Sequence, residues 1–289
     1  MNIADLTRKF GGNGISFEEF HNFPALRIKN EFATALVSLY GAHVVEYNIP
    51  DSAPVLWMSE KSLFTPGSPM RGGVPLCFPW FGAPPEGKSG SHGFVRNTMW
   101  EISAAGIAPG GGNFAVFYLQ TDDFELFYTV TVDRQLTMSL EIENRNVSDF
   151  HFGGALHTYF NISNINNITV ADLDQLPYLD AVTGENLIQQ GDLTISGEVD
   201  RIFTTCGSTR IVDPGFKRII HIDKYGSNST VVWNPWIEKS KRMPDFGDDE
   251  FNTMLCVEAA KVPRTGDGGT VHSGVPVELR QVIRVESNC

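Results

Sequence analysis

Apolar and polar residues alternate with a period of two along several stretches of this chain. In "LTMSLEIEN", residues 136–144, apolar side chains occupy every second position from Leu136 to Ile142, and polar side chains lie between them. This period is typical of a strand with one buried and one solvated face. "VELRQVIRV" repeats it near the C-terminus, and the sequence has no long amphipathic helix. The pattern therefore predicts an all-β protein.

Further strands are predicted in short runs rich in β-branched and aromatic residues, bounded by Gly, Pro, Asn or Asp. These runs are "FATALVSLYGAHVVEY", "NFAVFYLQ", "FELFYTVTV", "STVVWNPW" and "TMLCVEAA". Many strands separated by many turns indicate a large antiparallel β-sandwich. The 28 glycines and 16 prolines of the 289 residues are spread along the chain, with no linker between them. We expect a single domain spanning residues 1–289.

Charge and composition exclude several kinds of partner. The formal net charge of −12 disfavours binding to nucleic acid or to an anionic membrane surface. No segment reaches the roughly 18 consecutive apolar residues of a membrane span, and the N-terminal stretch lacks the apolar core of a secretory signal. The four cysteines form no C-x-x-C pair, so we expect reduced thiols and no zinc ribbon. The sequence predicts a cytoplasmic protein, and we expect a monomer.

A histidine and a glutamate stand out on two of the predicted strands. In "GGALHTYFNIS", His157 would share a polar and aromatic face with Tyr159 and Asn161, a surface suited to a sugar ring. In "MLCVEAA", Glu258 interrupts an apolar run, and its burial would raise its pKa and make it a stronger base. Either residue could instead have a structural role, the histidine hydrogen-bonded and the glutamate paired with an arginine. Together they form a plausible acid/base pair.

Two arginines lie in glycine-rich surroundings upstream. Arg71 opens "RGGVPLCFPWFG", and Arg96 lies in "SHGFVRN" beside His92. A guanidinium group matches a phosphate or a carboxylate, and the neighbouring glycines would let backbone approach a bound anion. The alternative is an ordinary salt bridge to one of the 34 acidic residues. We regard both arginines as candidate anion-binding residues.

Six blocks of the chain, in this order, resemble those of the hexose-6-phosphate mutarotases, also called glucose-6-phosphate 1-epimerases, of the aldose 1-epimerase superfamily. They are "RGGVPLCFPWFG", "SHGFVRNTMW", "ALHTYFNIS", "EVDRIF", "VVWNPW" and "MLCVEAA". The resemblance extends from about Arg71 to Ala260 and implies the galactose mutarotase-like supersandwich fold. It also implies an isomerase that interconverts the α and β anomers of a hexose 6-phosphate.

The resemblance assigns roles to seven residues. It implies that His157 is the general acid and Glu258 the general base, and that the substrate-binding residues are Arg71, His92, Arg96, Asp200 and Ser91. Ser91 stands where many relatives have glutamine, and its shorter side chain would lose a hydrogen bond or reach the substrate through water. A charged loop, "EKSKRMPDFGDDEF", could bring Lys239, Lys241 or Arg242 to the phosphate, although such loops are usually only solvated.

These roles define a mechanism that requires no metal and no other cofactor. Glu258 takes the proton of the anomeric hydroxyl while His157 protonates the ring oxygen, and the opened aldehyde then rotates and closes to the other anomer. Three alternatives use the same residues differently. A cupin would bind iron through His92, His157 and Glu258, and a glycoside hydrolase would pair Glu258 with Asp200. A non-catalytic carbohydrate-binding or regulatory module would rely on aromatics such as Trp80, Trp233 and Trp236.

Overall fold

Antiparallel strands dominate the structure, a computed structural model that describes residues 2–265 and 268–287. The strands of these residues are, in chain order, β1 (Ile15–Phe20), β2 (Phe23–Lys29), β3 (Thr34–Ser38), β4 (His43–Asn48), β5 (Leu76–Cys77), β6 (Glu101–Ile107), β7 (Asn113–Gln120), β8 (Phe124–Val132), β9 (Leu136–Asn144), β10 (Phe150–Phe152), β11 (Gly154–Leu156), β12 (Tyr159–Asn161), β13 (Thr169–Ala171), β14 (Pro177–Asp180), β15 (Asn186–Ile188), β16 (Val199–Thr204), β17 (Thr209–Asp213), β18 (Arg218–Tyr225), β19 (Ser229–Asn234), β20 (Met254–Lys261), β21 (Gly269–Val271) and β22 (Val277–Ser287). The helices are α1 (Ile3–Phe10) and α2 (Trp236–Ser240), and 3₁₀ turns cover Val95–Asn97, Glu250–Thr253 and Pro263–Thr265.

Two large sheets form the body of the protein. One sheet has the strand order β15-β14-β16-β19-β20-β11-β5, with β12 also paired to β20, and we call it the cavity sheet. The other has the order β13-β17-β18-β22-β9-β8-β7-β6, and we call it the supporting sheet. The strands β1 to β4 make a separate sheet, and β10 pairs with β21. The prediction of a large antiparallel sandwich is confirmed.

Three neighbouring strands of the supporting sheet follow the sequence pattern residue by residue. The predicted runs 113–120, 124–132 and 136–144 coincide with β7, β8 and β9. Leu136, Met138, Leu140 and Ile142 are all buried, and the residues between them are partly or fully exposed. Their side chains belong to a hydrophobic cluster that also contains Leu255 and Val257 of the cavity sheet. The apolar faces of the two sheets therefore contribute to a common core.

The helix α1 was not predicted from the sequence. It begins after Asn2, whose side chain accepts a hydrogen bond of 2.9 Å from the backbone N–H of Asp5. Arg8 and Lys9 lie in the last turn, where positive charge is favourable. Only Leu6 is buried, so the apolar signal of this eight-residue helix is weak. In the described part of the chain, no helix has the length and apolar character needed to cross a membrane.

Candidate active site

Strand register brings His157 and Glu258 together. Both β11 and β12 pair with β20, and the register is the same on either side of the gap between them. That register places His157, which lies in the gap, directly opposite Glu258. Residues opposite each other in antiparallel strands project their side chains to the same face. The Nε2 atom of His157 lies 3.3 Å from Oε1 of Glu258.

The strand predicted through "GGALHTYFNIS" is interrupted at the histidine. β11 ends at Leu156 and β12 begins at Tyr159, and between them the backbone N–H of His157 donates to the carbonyl of Pro75 at 3.1 Å, which continues the pairing of β11 with β5. The alternation of faces is nevertheless kept, because Thr158 and Phe160 are fully buried on the opposite side. Two residues later, the N–H of Tyr159 donates to the carbonyl of Gly73 at 2.9 Å. The segment that begins at Arg71 is thus hydrogen-bonded to the chain that carries the histidine.

A buried glutamine of the supporting sheet forms hydrogen bonds to the chain neighbours of both catalytic candidates. Gln281 in β22 is fully buried, and its Nε2 donates to the carbonyl of Val257 at 3.1 Å. Its Oε1 accepts a hydrogen bond from the hydroxyl of Thr158. Val257 and Thr158 are the immediate chain neighbours of Glu258 and His157. One side chain therefore contacts the backbone or side chain next to each member of the pair.

The pair lies in a cavity of about 760 Å³ on the cavity sheet. The structure brings all seven sequence-predicted site residues to the wall of this cavity, namely Arg71, Ser91, His92, Arg96, His157, Asp200 and Glu258. A second row across the same strands places Tyr159, Cys256, Trp233 and Asp200 side by side. Tyr159, Trp233 and Asp200 also line the cavity. Its floor thus combines aromatic surface with carboxylates, as a sugar site requires.

Burial dominates the protonation of the pair. His157 is 8% exposed and Glu258 is 1% exposed. Burial lowers the pKa of His157 well below its ordinary value, and electrostatic interactions with His92, Arg96 and Arg71 lower it further. Burial also raises the pKa of Glu258 well above its ordinary value; Asp200 adds to this, and Arg96 opposes it. Both shifts favour the uncharged forms, so the free site tends to keep one proton, on the carboxyl group.

The two candidate arginines differ in their partners. Arg71 is paired with Asp245, since its Nε and Nη2 atoms lie 3.1 and 3.0 Å from Oδ2 of that residue. Arg96 donates from Nη2 to the backbone carbonyl of Ser91 at 2.8 Å. Within residues 2–265 and 268–287, no carboxylate lies within ion-pair distance of Arg96. Arg96 therefore offers an uncompensated positive charge to an anionic ligand.

The glycines beside these arginines have a different role from the one expected. A Cβ atom at Gly72 would lie 2.5 Å from Cα of Met58, and one at Gly93 would lie 1.8 Å from the carbonyl oxygen of Phe78. Both glycines have positive φ, at 116° and 72°. They allow segments of the protein's own chain to pack closely, and neither lines the cavity. The expectation that they approach a bound anion was wrong.

Ser91 and His92 form one rim of the cavity. The backbone N–H of His92 donates to the carbonyl of Gly82 at 2.8 Å, which fixes the turn that carries both residues. The ring of His92 meets the ring of His157 edge to face, with centroids 5.6 Å apart. Burial, together with Arg96 and Arg71, lowers the pKa of His92 to about 3. His92 is therefore a neutral hydrogen-bonding group near neutral pH.

Other lining residues were missed or left undecided by sequence reasoning. Lys239 lines the cavity, but its Nζ lies 2.8 Å from Glu198. Lys241 and Arg242 do not line it. Arg264 does, and no motif had indicated it. In β16, burial raises the pKa of Asp200, and the positive charge of Lys239 partly offsets this. The charge pattern of a loop does not tell which of its charged residues line the cavity and which form ion pairs, because this depends on residues that are distant in the sequence.

One group of metal-ligand type occurs in the described chain. Ligand atoms of His157, Cys256 and Glu258 lie within 4.8 Å of one another. This set differs from the cupin alternative, which would use His92. The guanidinium groups of Arg71 and Arg96 line the same cavity, and their positive charge opposes a divalent cation there. The arrangement suits proton transfer to a polar ligand better than metal binding.

Comparison with known proteins agrees with the motifs. A family model described as aldose 1-epimerase matches residues 24–283. A protein of Cenchrus ciliaris named "Putative glucose-6-phosphate 1-epimerase" is 33% identical over 250 residues, covering 80% of this chain and 75% of that protein. A protein of the same name from Escherichia coli strain K12 is 30% identical over 258 residues, covering 87% and 86%.

The fold agrees with a solved structure as well. The crystal structure of "a putative mutarotase (YeaD)" from Salmonella typhimurium has a TM-score of 0.89 and 27% sequence identity to this chain. The match covers 96% of this chain and 95% of that one. The galactose mutarotase-like fold implied by the sequence motifs is thereby confirmed. With a family match over most of its length, the chain belongs to the aldose 1-epimerase family.

Proposed function

We propose that this protein is an isomerase that interconverts the α and β anomers of a hexose 6-phosphate, with glucose 6-phosphate as the first candidate. The observation that carries the proposal is the His157 and Glu258 pair, 3.3 Å apart on the floor of a cavity with arginines in its wall. Family membership supports the anomeric chemistry. The names of the relatives support the phosphorylated sugar.

The reaction needs one proton shared by two groups. Glu258 accepts the proton of the anomeric hydroxyl and His157 donates one to the ring oxygen, which opens the ring. Rotation about the C1–C2 bond and the reverse transfers give the other anomer. The free pair favours neutral imidazole and neutral carboxyl, which carry the same number of protons as imidazolium and carboxylate. Transfer of one proton within the pair therefore prepares the acid and the base.

The anionic end of the substrate is assigned to the arginines. Arg96 supplies a buried positive charge that has no carboxylate partner among the described residues. The phosphate group of the substrate would be the anionic partner of this arginine. Arg71, whose charge Asp245 already offsets, contributes hydrogen bonds more than net charge. Asp200, His92 and the Ser91 region contact the sugar hydroxyls in this assignment.

The rate should depend on pH as a bell. Activity falls on the acid side when the pair takes a second proton, and burial moves that step below the ordinary pKa of histidine, 6.5. It falls on the alkaline side when the pair loses its remaining proton, and burial moves that step above the ordinary pKa of glutamate, 4.5. A flat profile with intact binding would contradict a shared proton.

Exchange NMR on the anomeric resonances tests the function directly. The samples are glucose 6-phosphate and free glucose, each with the purified protein and no added metal. Faster α/β exchange for the phosphorylated sugar alone supports the whole proposal. Faster exchange for free glucose alone keeps the chemistry and removes the phosphate site. No enhancement with either sugar, in a folded sample, argues for a different sugar or for a binding module.

A further inference from the structure

We propose that Asp245 is a positioning residue for this reaction: it fixes Arg71, which fixes Tyr159, whose ring orients the imidazole of His157. The inference rests on the proposed function of the His157 and Glu258 pair. Asp245 lies in the loop "EKSKRMPDFGDDEF", for which the sequence had indicated only Lys239, Lys241 and Arg242.

The first step is the contact between Asp245 and Arg71. Oδ2 of Asp245 accepts hydrogen bonds from Nε and Nη2 of Arg71, at 3.1 and 3.0 Å. The side chain of Asp245 is 11% exposed and that of Arg71 is 22% exposed. A partly buried ion pair held by two hydrogen bonds restricts the guanidinium plane much more than a solvated pair does. Arg71 therefore has one favoured orientation.

The second step passes from Arg71 to Tyr159. The remaining terminal nitrogen, Nη1, donates to Oη of Tyr159 at 2.8 Å. Burial raises the pKa of Tyr159, so its oxygen stays a neutral hydroxyl that accepts this hydrogen bond. The guanidinium group of Arg71 thus links Asp245 to Tyr159, and the position of the tyrosine hydroxyl depends on the orientation that Asp245 gives to Arg71.

The third step passes from Tyr159 to His157. The two rings are stacked, with centroids 4.9 Å apart and planes 12° apart. The edge of Trp233 contacts the ring of Tyr159 with a centroid distance of 6.0 Å. A rotation of the tyrosine ring would therefore move the imidazole or open a gap beside it. General acid catalysis depends on the direction in which Nε2 points.

The loop that carries Asp245 is itself firmly held. Phe246, the next residue, is fully buried and packs against Trp57 with ring centroids 5.1 Å apart. Glu250 accepts hydrogen bonds from the backbone of Gly247 and from the hydroxyl of Ser59, both at 2.6 Å. The position of Asp245 is thus set by the fold before any ligand binds.

Kinetics of the isosteric variant Asp245→Asn separate positioning from general stability. The variant keeps the shape but leaves the charge of Arg71 without its partner. We expect kcat for glucose 6-phosphate to fall about tenfold, because the imidazole is held less well. We also expect KM for glucose 6-phosphate to fall, because the phosphate gains from the extra positive charge.

A matched control is available on the surface. Arg210 and Asp172 form an exposed pair with hydrogen bonds of 2.6 and 2.7 Å, and neither residue lines the cavity. Asp172→Asn changes the net charge equally but far from the cavity, so kcat and KM for glucose 6-phosphate should stay unchanged. An unchanged kcat in Asp245→Asn, or the same change of KM in both variants, would overturn the proposal.

A readout without turnover keeps the two proposals distinct. The imidazole proton resonances of His157, assigned by their loss in His157→Asn, should shift in Asp245→Asn because the ring current of Tyr159 moves. Tyr159→Phe, which keeps the ring but loses the hydroxyl, should shift them in the same way and lower kcat severalfold. If wild-type protein accelerates neither sugar, the proposed function fails, while unchanged resonances in folded variants would overturn the positioning role of Asp245.

Discussion

Strand β9 belongs to the supporting sheet and strand β20 to the cavity sheet. Side chains alternate between the two faces of both strands, but the two strands bury different kinds of residue. In β9, apolar residues face the core and polar residues face outward, so every second position is buried. In β20, all positions from Met254 to Ala260 are buried, and these include the ionisable residue Glu258. One face of β20 joins the core through Leu255 and Val257, while Glu258 faces the cavity.

This difference separates stability from chemistry within one fold. Strand β9 buries apolar side chains, which lowers the free energy of the folded state at no electrostatic cost. Strand β20 also buries the titratable Glu258, which costs free energy and shifts the pKa of this residue toward the range that acid/base catalysis needs. Substitutions in the two strands should therefore affect different measurements.

The largest effect is expected from the catalytic pair. Glu258→Gln and His157→Asn each remove a proton-transfer group with little change of volume, so we expect kcat to fall by about 10² to 10⁴-fold. The midpoint of urea unfolding should stay close to wild type or rise, because a buried ionisable group is removed. Exchange NMR on saturating sugar phosphate measures the first quantity. Near-normal turnover in either variant would show that the pair is not the acid/base pair.

The opposite outcome is expected in the supporting sheet. Leu140 is 1% exposed, and Leu140→Ala should lower the free energy of unfolding by about 2 to 5 kcal/mol, through lost burial and a cavity. The turnover of the molecules that remain folded should be unchanged. Urea unfolding and kcat per folded molecule, measured on one preparation, check both statements. A large loss of kcat in the folded fraction would contradict the separation of the two sheets.

Gln281 is the place where this separation should break. Replacing it with leucine leaves the carbonyl of Val257 and the hydroxyl of Thr158 without their buried partner, which should cost about 1 to 3 kcal/mol. We also expect a loss of kcat, smaller than that of Glu258→Gln. The matched control is Gln120→Leu, at an exposed position of the same sheet, which should change stability by less than about 0.5 kcal/mol. Loss of stability without any loss of kcat would restrict Gln281 to a structural role.

The smallest effect is expected from a buried histidine of β4, outside the two large sheets. His43 is buried, its Nε2 lies 2.7 Å from the carbonyl oxygen of Gly72, and burial lowers its pKa to about 4. Below its ordinary pKa of 6.5, the unfolded chain binds a proton at this residue and the folded chain does not. Stability should therefore fall as pH falls, by about 1 kcal/mol over the first pH unit. His43→Gln should lack this contribution, so equal pH dependence of unfolding in both proteins would refute it.

The sequence predicted β7, β8, β9 and β22 of the supporting sheet because these strands carry their own signal, but it gave no prediction for β6, β13, β17 and β18. Leu136 to Ile142 alternate with polar residues, and a period of two identifies both the strand and its buried face. In the cavity sheet, β19 and β20 were predicted from "STVVWNPW" and "TMLCVEAA", but the strand predicted through His157 is divided into β11 and β12. Nothing in "ALHTYF" marks this interruption, and His157 stays opposite Glu258 because both parts pair with a distant strand, β20. A local pattern cannot report such a distant partner.

The site residues divide in a similar way. His157 and Glu258 were found because each places a titratable group on a predicted strand, and the family motifs supplied the others. Arg71 was found as a cation, but its pairing with Asp245, far along the chain, has no local signature. The same holds for Arg264, which is one charge among many in the sequence. Such partners become apparent only when the fold brings distant segments together.

The hydrogen bonds that join the Arg71 segment to the strand of His157 fix a length. Gly73 bonds to Tyr159 and Pro75 bonds to His157 through the main chain, so neither segment can slide along the other. The span from guanidinium to imidazole is then set by backbone geometry, with Asp245 limiting the freedom of the arginine side chain. The distance between these two groups is therefore a property of the folded chain and does not wait for a ligand to set it.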